Sequence, residues 1–336
     1  MKLGLQWGYW GQLPPPNLVE LSQEADRLGF DSVWTAEAWG SDAFTPLAWI
    51  AAHTERVKIG TCIAQLSART PAATAMATLT LDHLSGGRMM LGLGVSGPQV
   101  VEGWYGRPAK KPLQQTREYV EIIRKILRRD EPVTSDGEFW QLPYLGPNST
   151  GLGKPLRSIT HPLRADLPIF LAAEGPKNVA QTVEIADGWL PLYYSPYRQD
   201  VYADQLAGAN EGFEVVAMAN VTVTDDVEAG LYPMKAALGF YIGGMGAKGQ
   251  NYHTKLMSRM GFEAEALKIQ ELFFEGRRDE AIAMVPDQFA DEISLVGPPE
   301  RIRDRLAAWE ESPVTTLLMY PSSPENMRTV AEIFAG

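Results

Sequence analysis

The sequence predicts an α/β fold, a closed (β/α)₈ TIM barrel that forms a single domain over residues 1–336. Eight short strand-like segments alternate with helical patterns, an order that produces a parallel sheet. Eight such units favour a closed barrel over an open sheet. The length of 336 residues suffices for one large barrel, and no linker or low-complexity stretch divides the chain.

The first half of the chain contains four strand–helix units. Residues 17–28 carry leucines at helical spacing and precede Gly29, which suits the end of a helix. Pro71 suits the first position of another helix. Strands are predicted over residues 2–7, 31–35, 57–63 and 89–93, and helices over residues 17–28, 44–53, 71–84 and 112–129.

Two insertions interrupt the second half of the pattern. The first covers about residues 131–166, after unit four, and contains Asp136 and Gly137, a signal for a β-hairpin. The second covers about residues 243–291, after unit seven, and is predicted to hold two or three short helices. The remaining strands are predicted over residues 167–172, 188–192, 214–224 and 315–320, and the helices over 175–186, 197–210, 228–242, 298–311 and 325–334.

Composition limits the kinds of partner and compartment. The 30 basic and 41 acidic residues give a net charge of −11, which disfavours nucleic acid and anionic membranes as partners. The sequence has no run of 18 apolar residues, so we expect no membrane span. Cys62 is the single cysteine, which fits a reducing compartment. We therefore expect a cytoplasmic protein that acts on a small molecule.

Residues 92–97 spell G-x-G-x-x-G, the pattern of a dinucleotide-binding loop. That loop needs a long helix directly after it and an acidic residue at the end of the next strand. Here Pro98 and a short aromatic segment follow, and Glu118 lies within a predicted helix. We therefore expect glycines that let a flat ligand lie against bare backbone, or glycines that only relieve crowding inside the barrel.

The carboxyl ends of the barrel strands form the predicted site, because active sites of TIM barrels lie there. These ends carry no cluster of metal ligands, and no G-x-S-x-G motif or suitably placed histidine supports a catalytic triad. They are mostly aromatic and neutral, which favours a flat aromatic cofactor and no metal. The residues at these ends include Trp7, Tyr9, Trp10, residues 35–42, Cys62, Ile63, Gln65, residues 95–97, residues 172–178, Tyr193 and Tyr194.

Four stretches of the chain resemble motifs of the bacterial-luciferase-like superfamily, in the same order. They are FDSVWTAEAW, VKIGTCIAQLSARTPAATA, LDHLSGGRMMLGLGVSG and LVGPPERIRDRL. The stretch GPQVVEGWYG and the long second insertion are most similar to the actinobacterial branch that uses coenzyme F420. The resemblance spans essentially the whole chain. It implies a barrel that binds a deazaflavin or flavin, transfers a hydride between C5 of the deazaflavin and a stacked substrate, and forms a homodimer.

The resemblance also implies residue roles around the ring. A non-prolyl cis peptide bond is expected at Cys62–Ile63, behind the ring, and the backbone of Gly94, Val95 and Ser96 is expected at its polar edge. Trp7 and Gln65 are further expected contacts of the cofactor. Glu37 and Ala38 hold the position where relatives often carry an acidic residue and a histidine. Because Ala38 replaces that histidine, histidine catalysis is not expected at this position.

Proton donors for hydride transfer are sought among the polar and aromatic residues of the mouth. Glu37 and Trp39 are the predicted catalytic residues, and Glu102 and Tyr105 are further candidates. Trp39 could equally be a wall of the pocket, and Glu102 a surface residue. Gly97 stands where F420-dependent sugar-phosphate dehydrogenases carry a carboxylate, which argues against that substrate class.

Residues 174–178 begin the fifth helix and are predicted to bind a phosphate of the cofactor. Free N–H groups and the helix dipole favour an anion there, although the segment could be a simple cap. It consists of Glu174, Gly175, Pro176, Lys177 and Asn178. Arg117 either reaches the same phosphate or is held in a salt bridge.

The second insertion carries Tyr252 and His253, and we expect it to cover the mouth as a lid or to form a dimer contact. The leading hypothesis is an F420-dependent oxidoreductase that acts on an apolar or conjugated small molecule. The alternative is an FMN-dependent monooxygenase on the same fold. A non-catalytic flavin-binding barrel is less favoured, because all eight units and a long lid are present.

Overall fold

The computed structural model describes residues 1 to 336 and has twelve strands. The strands are β1 (Lys2–Gln6), β2 (Ser32–Thr35), β3 (Lys58–Thr61), β4 (Ala64–Gln65), β5 (Met89–Gly94), β6 (Ser135–Asp136), β7 (Gln141–Leu142), β8 (Ile169–Ala172), β9 (Gly188–Leu190), β10 (Glu214–Val223), β11 (Ser294–Gly297) and β12 (Thr316–Met319).

Fourteen α-helices connect and flank these strands. They are α1 (Leu18–Arg27), α2 (Phe44–Ala51), α3 (Pro71–Leu84), α4 (Pro98–Gly103), α5 (Pro112–Arg128), α6 (Pro176–Ile185), α7 (Ala203–Leu206), α8 (Val227–Gly244), α9 (Tyr252–Arg259), α10 (Glu263–Phe274), α11 (Arg278–Ala283), α12 (Asp287–Glu292), α13 (Pro299–Glu310) and α14 (Pro324–Ala335). None combines the length and the apolar character that a membrane crossing requires.

Eight parallel strands close the barrel, in the order β1-β2-β3-β5-β8-β9-β10-β12. The ring closes because β12 pairs with both β10 and β1, where Leu3 lies opposite Leu317. This architecture confirms the (β/α)₈ barrel predicted from the alternation of strands and helices. The two insertions also follow units four and seven, as predicted.

Two hydrophobic layers support the barrel. A small cluster inside it contains Trp34 and Phe170, whose ring centroids lie 5.6 Å apart in an edge-to-face contact. A larger cluster fills the space between the strands and the surrounding helices. The outward-facing residues of the strands, such as Val33 and Leu91, are fully buried under those helices. The closed ring therefore holds the carboxyl ends of its strands in a fixed arrangement.

The first insertion contains the predicted hairpin. Strands β6 and β7 pair in antiparallel fashion around Gly137. Near the end of the insertion, Arg164 donates hydrogen bonds to both oxygens of the Asp82 carboxylate, at 2.5 and 3.1 Å. Arg164 also donates to the backbone oxygen of Met89, at the amino-terminal start of β5. Because Asp82 is almost completely buried, this ion pair fastens the insertion to the end of the barrel opposite the predicted mouth.

The second insertion differs in detail from the prediction. It contains four helices, α9 to α12, rather than two or three. Gly261 and Gly276, with φ angles of 93° and 80°, separate the first three of them. Strand β11 was not predicted at all, because its four residues form a strand through pairing with residues 220–223 of β10.

Two predicted elements are broken in the structure. The helix predicted over residues 197–210 is a 3₁₀ segment, Pro196–Tyr202, followed by the single turn of α7. Arg198 leaves helical geometry there and binds Glu292 at 2.6 Å. The strand predicted over residues 57–63 ends at Thr61 as β3, and β4 follows the Cys62–Ile63 peptide bond, which is cis as the resemblance implied.

Candidate active site

A cavity of about 980 Å³ opens at the carboxyl ends of the barrel strands. This volume lies at the upper end of the range for small-molecule sites, so it has room for a cofactor ring and a second molecule. Fifteen of the predicted site residues line it: Trp7, Glu37, Ala38, Trp39, Cys62, Ile63, Gln65, Gly94, Val95, Ser96, Glu174, Gly175, Pro176, Lys177 and Asn178. No group of three or more His, Cys, Asp or Glu side chains is arranged to hold a metal ion.

The cis peptide segment forms one wall of this cavity. The side-chain amide of Gln6 donates to the Cys62 oxygen at 3.0 Å, and the Glu37 backbone N–H donates to the Ile63 oxygen at 3.1 Å. Burial raises the pKa of the Cys62 thiol to about 12. The thiol is therefore neutral at physiological pH and is a poor nucleophile.

Two glutamines of the cavity lining carry side-chain oxygens that have no hydrogen-bond partner. Gln6 and Gln65 are 3% and 4% exposed, and both line the cavity. Their side-chain nitrogens donate to Cys62 and to the Glu37 backbone oxygen, so the orientation of each amide is fixed. Their Oε1 atoms have no partner within the protein. A ligand with N–H groups at its edge would satisfy both of these buried acceptors.

The carboxylate of Glu37 is committed to contacts within the protein. It accepts hydrogen bonds from Arg69 Nη1 at 2.7 and 2.8 Å, from the Gln65 backbone N–H at 2.7 Å and from the Ala43 backbone N–H at 3.2 Å. These donors satisfy both carboxylate oxygens. The prediction that Glu37 transfers a proton is therefore not supported by its geometry, which fits a residue that holds the wall of the cavity.

The remaining proton-donor candidates occupy different environments. Trp39 lines the cavity but is 45% exposed, which suits a wall residue. Tyr105 lies behind the lining and donates to the Ala38 backbone oxygen at 3.1 Å. Burial and the nearby Glu37 charge raise the Tyr105 pKa. Glu102 is exposed and bonds the backbone of its own loop, so it takes no part in the cavity.

The G-x-G-x-x-G segment is explained mainly by packing of the barrel. A Cβ atom on Gly92 would lie 1.9 Å from the Thr61 backbone oxygen, so glycine is required by the approach of β3 to β5. A Cβ atom on Gly94 would lie 2.9 Å from the Ile63 side chain in the cavity wall. The interpretation of bare backbone against a ligand thus applies to the Gly94 end, while Gly92 relieves crowding.

The amino terminus of α6 leaves a backbone donor free beside the cavity. Gly175 caps the helix without a side-chain hydrogen bond, Pro176 has no N–H, and the Lys177 amide has no intrahelical acceptor. A Cβ atom on Gly175 would meet no other atom within 4 Å, so the space beside this residue is open. Arg117 does not take part, because its guanidinium binds Glu184 at 2.6 and 2.8 Å.

The second insertion covers the mouth, as predicted for a lid. The end of α8 and the start of α9 contribute Tyr241, Gly244, Met245, Gly246, Tyr252 and His253 to the cavity lining. The phenol oxygens of Tyr241 and Tyr9 lie 3.1 Å apart and join this lid to the end of β1. Burial raises the pKa of Tyr320 to about 12 and raises the pKa of Tyr241 further. These phenols are therefore neutral at physiological pH.

One contact at the lid was not predicted from the sequence. His253 Nδ1 lies 2.8 Å from Glu174 Oε1, and each side chain is 14% exposed. The sequence indicated that the insertion brings His253 to the mouth, but nothing local indicated a partner 79 positions earlier. Gln6 was also missed, although a polar residue at the end of the apolar stretch KLGLQ is a usable signal.

Comparison with known proteins identifies the family. The sequence model of the luciferase-like monooxygenase family matches residues 5–316. The chain belongs to this luciferase-like monooxygenase family. It is therefore an enzyme of that family, as the four sequence motifs implied.

The names of similar proteins mention different cofactors. A Mycobacterium tuberculosis protein with the provisional name coenzyme F420-dependent oxidoreductase is 52% identical over 99% of both chains. The F420-dependent tetrahydromethanopterin reductase of Methanopyrus kandleri has the same fold, with a TM-score of 0.80 and 22% identity over 98% of this chain and 97% of its own. The oxygenating component of 3,6-diketocamphane monooxygenase from Pseudomonas putida was solved with FMN. It gives a TM-score of 0.66 and 17% identity over 99% of this chain and 96% of its own.

Proposed function

We propose that this enzyme binds coenzyme F420 in the barrel mouth and transfers a hydride between the deazaflavin and an apolar small molecule. The observation that carries the proposal is the 52% identity, over 99% of both chains, to the provisionally named F420-dependent relative. The cavity supports it, because its size leaves space for a substrate beside a tricyclic ring.

The polar groups of the cavity fit the two ends of such a cofactor. The unpartnered Oε1 atoms of Gln6 and Gln65 would accept hydrogen bonds from N–H groups of the ring. The amino terminus of α6, with the Lys177 amide and side chain, would hold a phosphate of the tail. Glu174 is excluded from that phosphate role, because its carboxylate would repel an anion and approaches His253 instead.

The chain positions and shields the reacting molecules. When bound, the cofactor gives or accepts the hydride at C5 of its deazaflavin ring. The contact of Glu37 with Arg69 fixes the loop after β2 and, through the Gln65 backbone, the wall that would face the ring. The lid residues of α8 and α9 line the mouth of the cavity, and the exclusion of water there would protect hydride chemistry.

The second candidate cofactor is FMN, because the family name and the fold of an FMN-containing neighbour allow it. Titration of the purified protein with F420 and, separately, with FMN distinguishes the two by the change in cofactor fluorescence. We expect saturable binding of F420. Tight binding of FMN together with no binding of F420 would refute the proposal and establish the alternative.

A further inference from the structure

We propose that Met245, at the end of α8, is a specificity-determining residue that sets the size of the neutral molecule admitted beside the cofactor. The inference rests on the proposed function and names the class of molecule that the same site takes. Met245 is half-buried and lines the cavity, and so do Gly244 and Gly246 on either side of it. Because glycine has no side chain, Met245 supplies the single side chain of this three-residue stretch.

This stretch lies across the barrel mouth from the wall that would hold the ring. The cis peptide wall follows β3, whereas α8 follows β10. In the closed ring of eight strands, β3 is third and β10 is seventh, so the two strands stand on opposite sides of the barrel axis. A cofactor ring held against the cis peptide wall therefore leaves the space for a second molecule on the side of Met245.

The two glycines that flank Met245 are required by the packing of the lid. A Cβ atom on Gly244 would overlap the ring of Phe273 in α10. A Cβ atom on Gly246 would lie 2.7 Å from the backbone of Asn251. Neither position can take a larger residue unless the lid moves. In this stretch, the space above the cavity is therefore set by the side chain at position 245.

Asn251 holds the backbone around Met245 in place. Its side-chain amide donates to the backbone oxygens of Tyr241 and Ile242 at 2.7 and 3.0 Å. Its Oδ1 atom accepts from the first two backbone N–H groups of α9 at 2.8 and 3.3 Å. The contact between Tyr241 and Tyr9 joins the same segment to the end of β1. A substitution of Met245 therefore changes a side chain on a backbone that other residues hold.

The charged side chains of the lining already have contacts or a proposed ligand. Glu37 is bound to Arg69. Glu174 has one buried carboxylate oxygen and the other 2.8 Å from His253, and Lys177 stands at the proposed phosphate end of the cofactor. Burial of a charge without a partner is costly. We therefore expect the second molecule to be neutral and mostly apolar.

A flexible side chain on a fixed backbone has defined consequences for selectivity. Methionine is unbranched and polarizable, so it adapts to apolar ligands of different shape. A larger and stiffer side chain at position 245 removes space, so it should exclude long molecules and tolerate short ones. A smaller side chain opens space and removes contacts, so it should weaken the binding of short molecules and still admit long ones. The two changes should shift selectivity in opposite directions.

The test measures the binding of two neutral probes of different length to protein saturated with F420. The probes are benzamide and 4-phenylbenzamide, neither of which is expected to exchange a hydride with the cofactor. Saturation-transfer NMR titration gives the Kd of each probe. The variants are Met245→Trp and Met245→Ala. The matched control is Met284→Trp, since Met284 lies in the same insertion, is 38% exposed and lies outside the cavity lining.

The two Met245 variants have opposite expected results. In Met245→Trp the Kd of 4-phenylbenzamide should rise about tenfold, and that of benzamide should stay within about threefold of wild type. In Met245→Ala the Kd of benzamide should rise about threefold, and that of 4-phenylbenzamide should not rise. In Met284→Trp both values should stay within about twofold of wild type. F420 fluorescence should give cofactor Kd values within about twofold of wild type in all three variants, because other residues hold the ring and the phosphate.

The ratio of the two probe Kd values distinguishes selectivity from damage to the lid, since a disturbed lid weakens the binding of both probes together. Three results would overturn this inference. They are parallel changes of both Kd values, a ratio within about twofold of wild type in both Met245 variants, and no binding of either probe to F420-saturated wild type. Absence of F420 binding by the wild type would instead refute the proposed function.

Discussion

Replacement of Glu37 by Gln tests whether its carboxylate holds the cavity wall. The carboxylate accepts four hydrogen bonds, at distances between 2.7 and 3.2 Å. An amide keeps one acceptor oxygen and turns an NH₂ group toward these donors, so at least two bonds to a charged acceptor are lost. Each is worth about 1.5–3 kcal/mol. Because Arg69 is 23% exposed and can recruit water, we expect a loss near the lower bound, about 3 kcal/mol.

Urea unfolding followed by tryptophan fluorescence measures this loss as a fall in the free energy of unfolding. The matched control is Glu138→Gln, since Glu138 pairs with Lys111 on the surface and their side chains are 51% and 59% exposed. The control should leave the free energy of unfolding unchanged within experimental error, because exposed ion pairs contribute little to stability. If the free energy of unfolding of E37Q lies within about 0.5 kcal/mol of the wild-type value, the Glu37 contacts do not contribute the expected stability.

Four further outcomes are expected. Gly92→Ala should destabilise the barrel by about 3 kcal/mol or more, because its Cβ would meet the Thr61 backbone oxygen, whereas Gly103→Ala meets nothing within 4 Å and should be neutral in urea unfolding. In the native protein, Cys62 should react with iodoacetamide at pH 8 far more slowly than in urea, because burial keeps its thiol protonated. Lys177→Ala should weaken F420 binding about fivefold in a fluorescence titration, through loss of roughly 1 kcal/mol of phosphate attraction. We also propose a homodimer, so light scattering should give twice the 37.0 kDa mass of one chain, and a mass of 37.0 kDa would refute it.

The barrel was predictable because its pattern is carried by neighbouring residues. Helix α3 has the predicted bounds, since Pro71 opens it and an alanine-rich segment continues it. The exceptions depend on distant partners. Residues 197–210 fail as one helix where Arg198 turns to Glu292, 94 positions away, and β11 becomes a strand by pairing with β10. Contacts between residues so far apart cannot be predicted from local sequence periodicity.

The sequence predicts which residues lie at the candidate site, but it does not predict where their side chains point. Parallel strands bring their carboxyl ends together, so the residues that line the mouth follow from strand boundaries. The direction of each side chain does not. Glu37 turns to Arg69, and Glu174 meets His253 from an insertion whose fold the sequence described only coarsely. The orphaned oxygen of Gln6 became visible only when its amide nitrogen was found on Cys62.

The ion pair between Arg164 and Asp82 implies that the two insertions have different roles, one in stability and one at the cavity. It ties the first insertion to the amino-terminal start of β5, the end of a barrel whose residues serve stability. The second insertion lies over the opposite end and reaches the cavity. Exchange of residues 245–293 between relatives should therefore alter which molecules are accepted. Exchange of the segment that ends at Arg164 should alter heat tolerance and leave that selectivity in place.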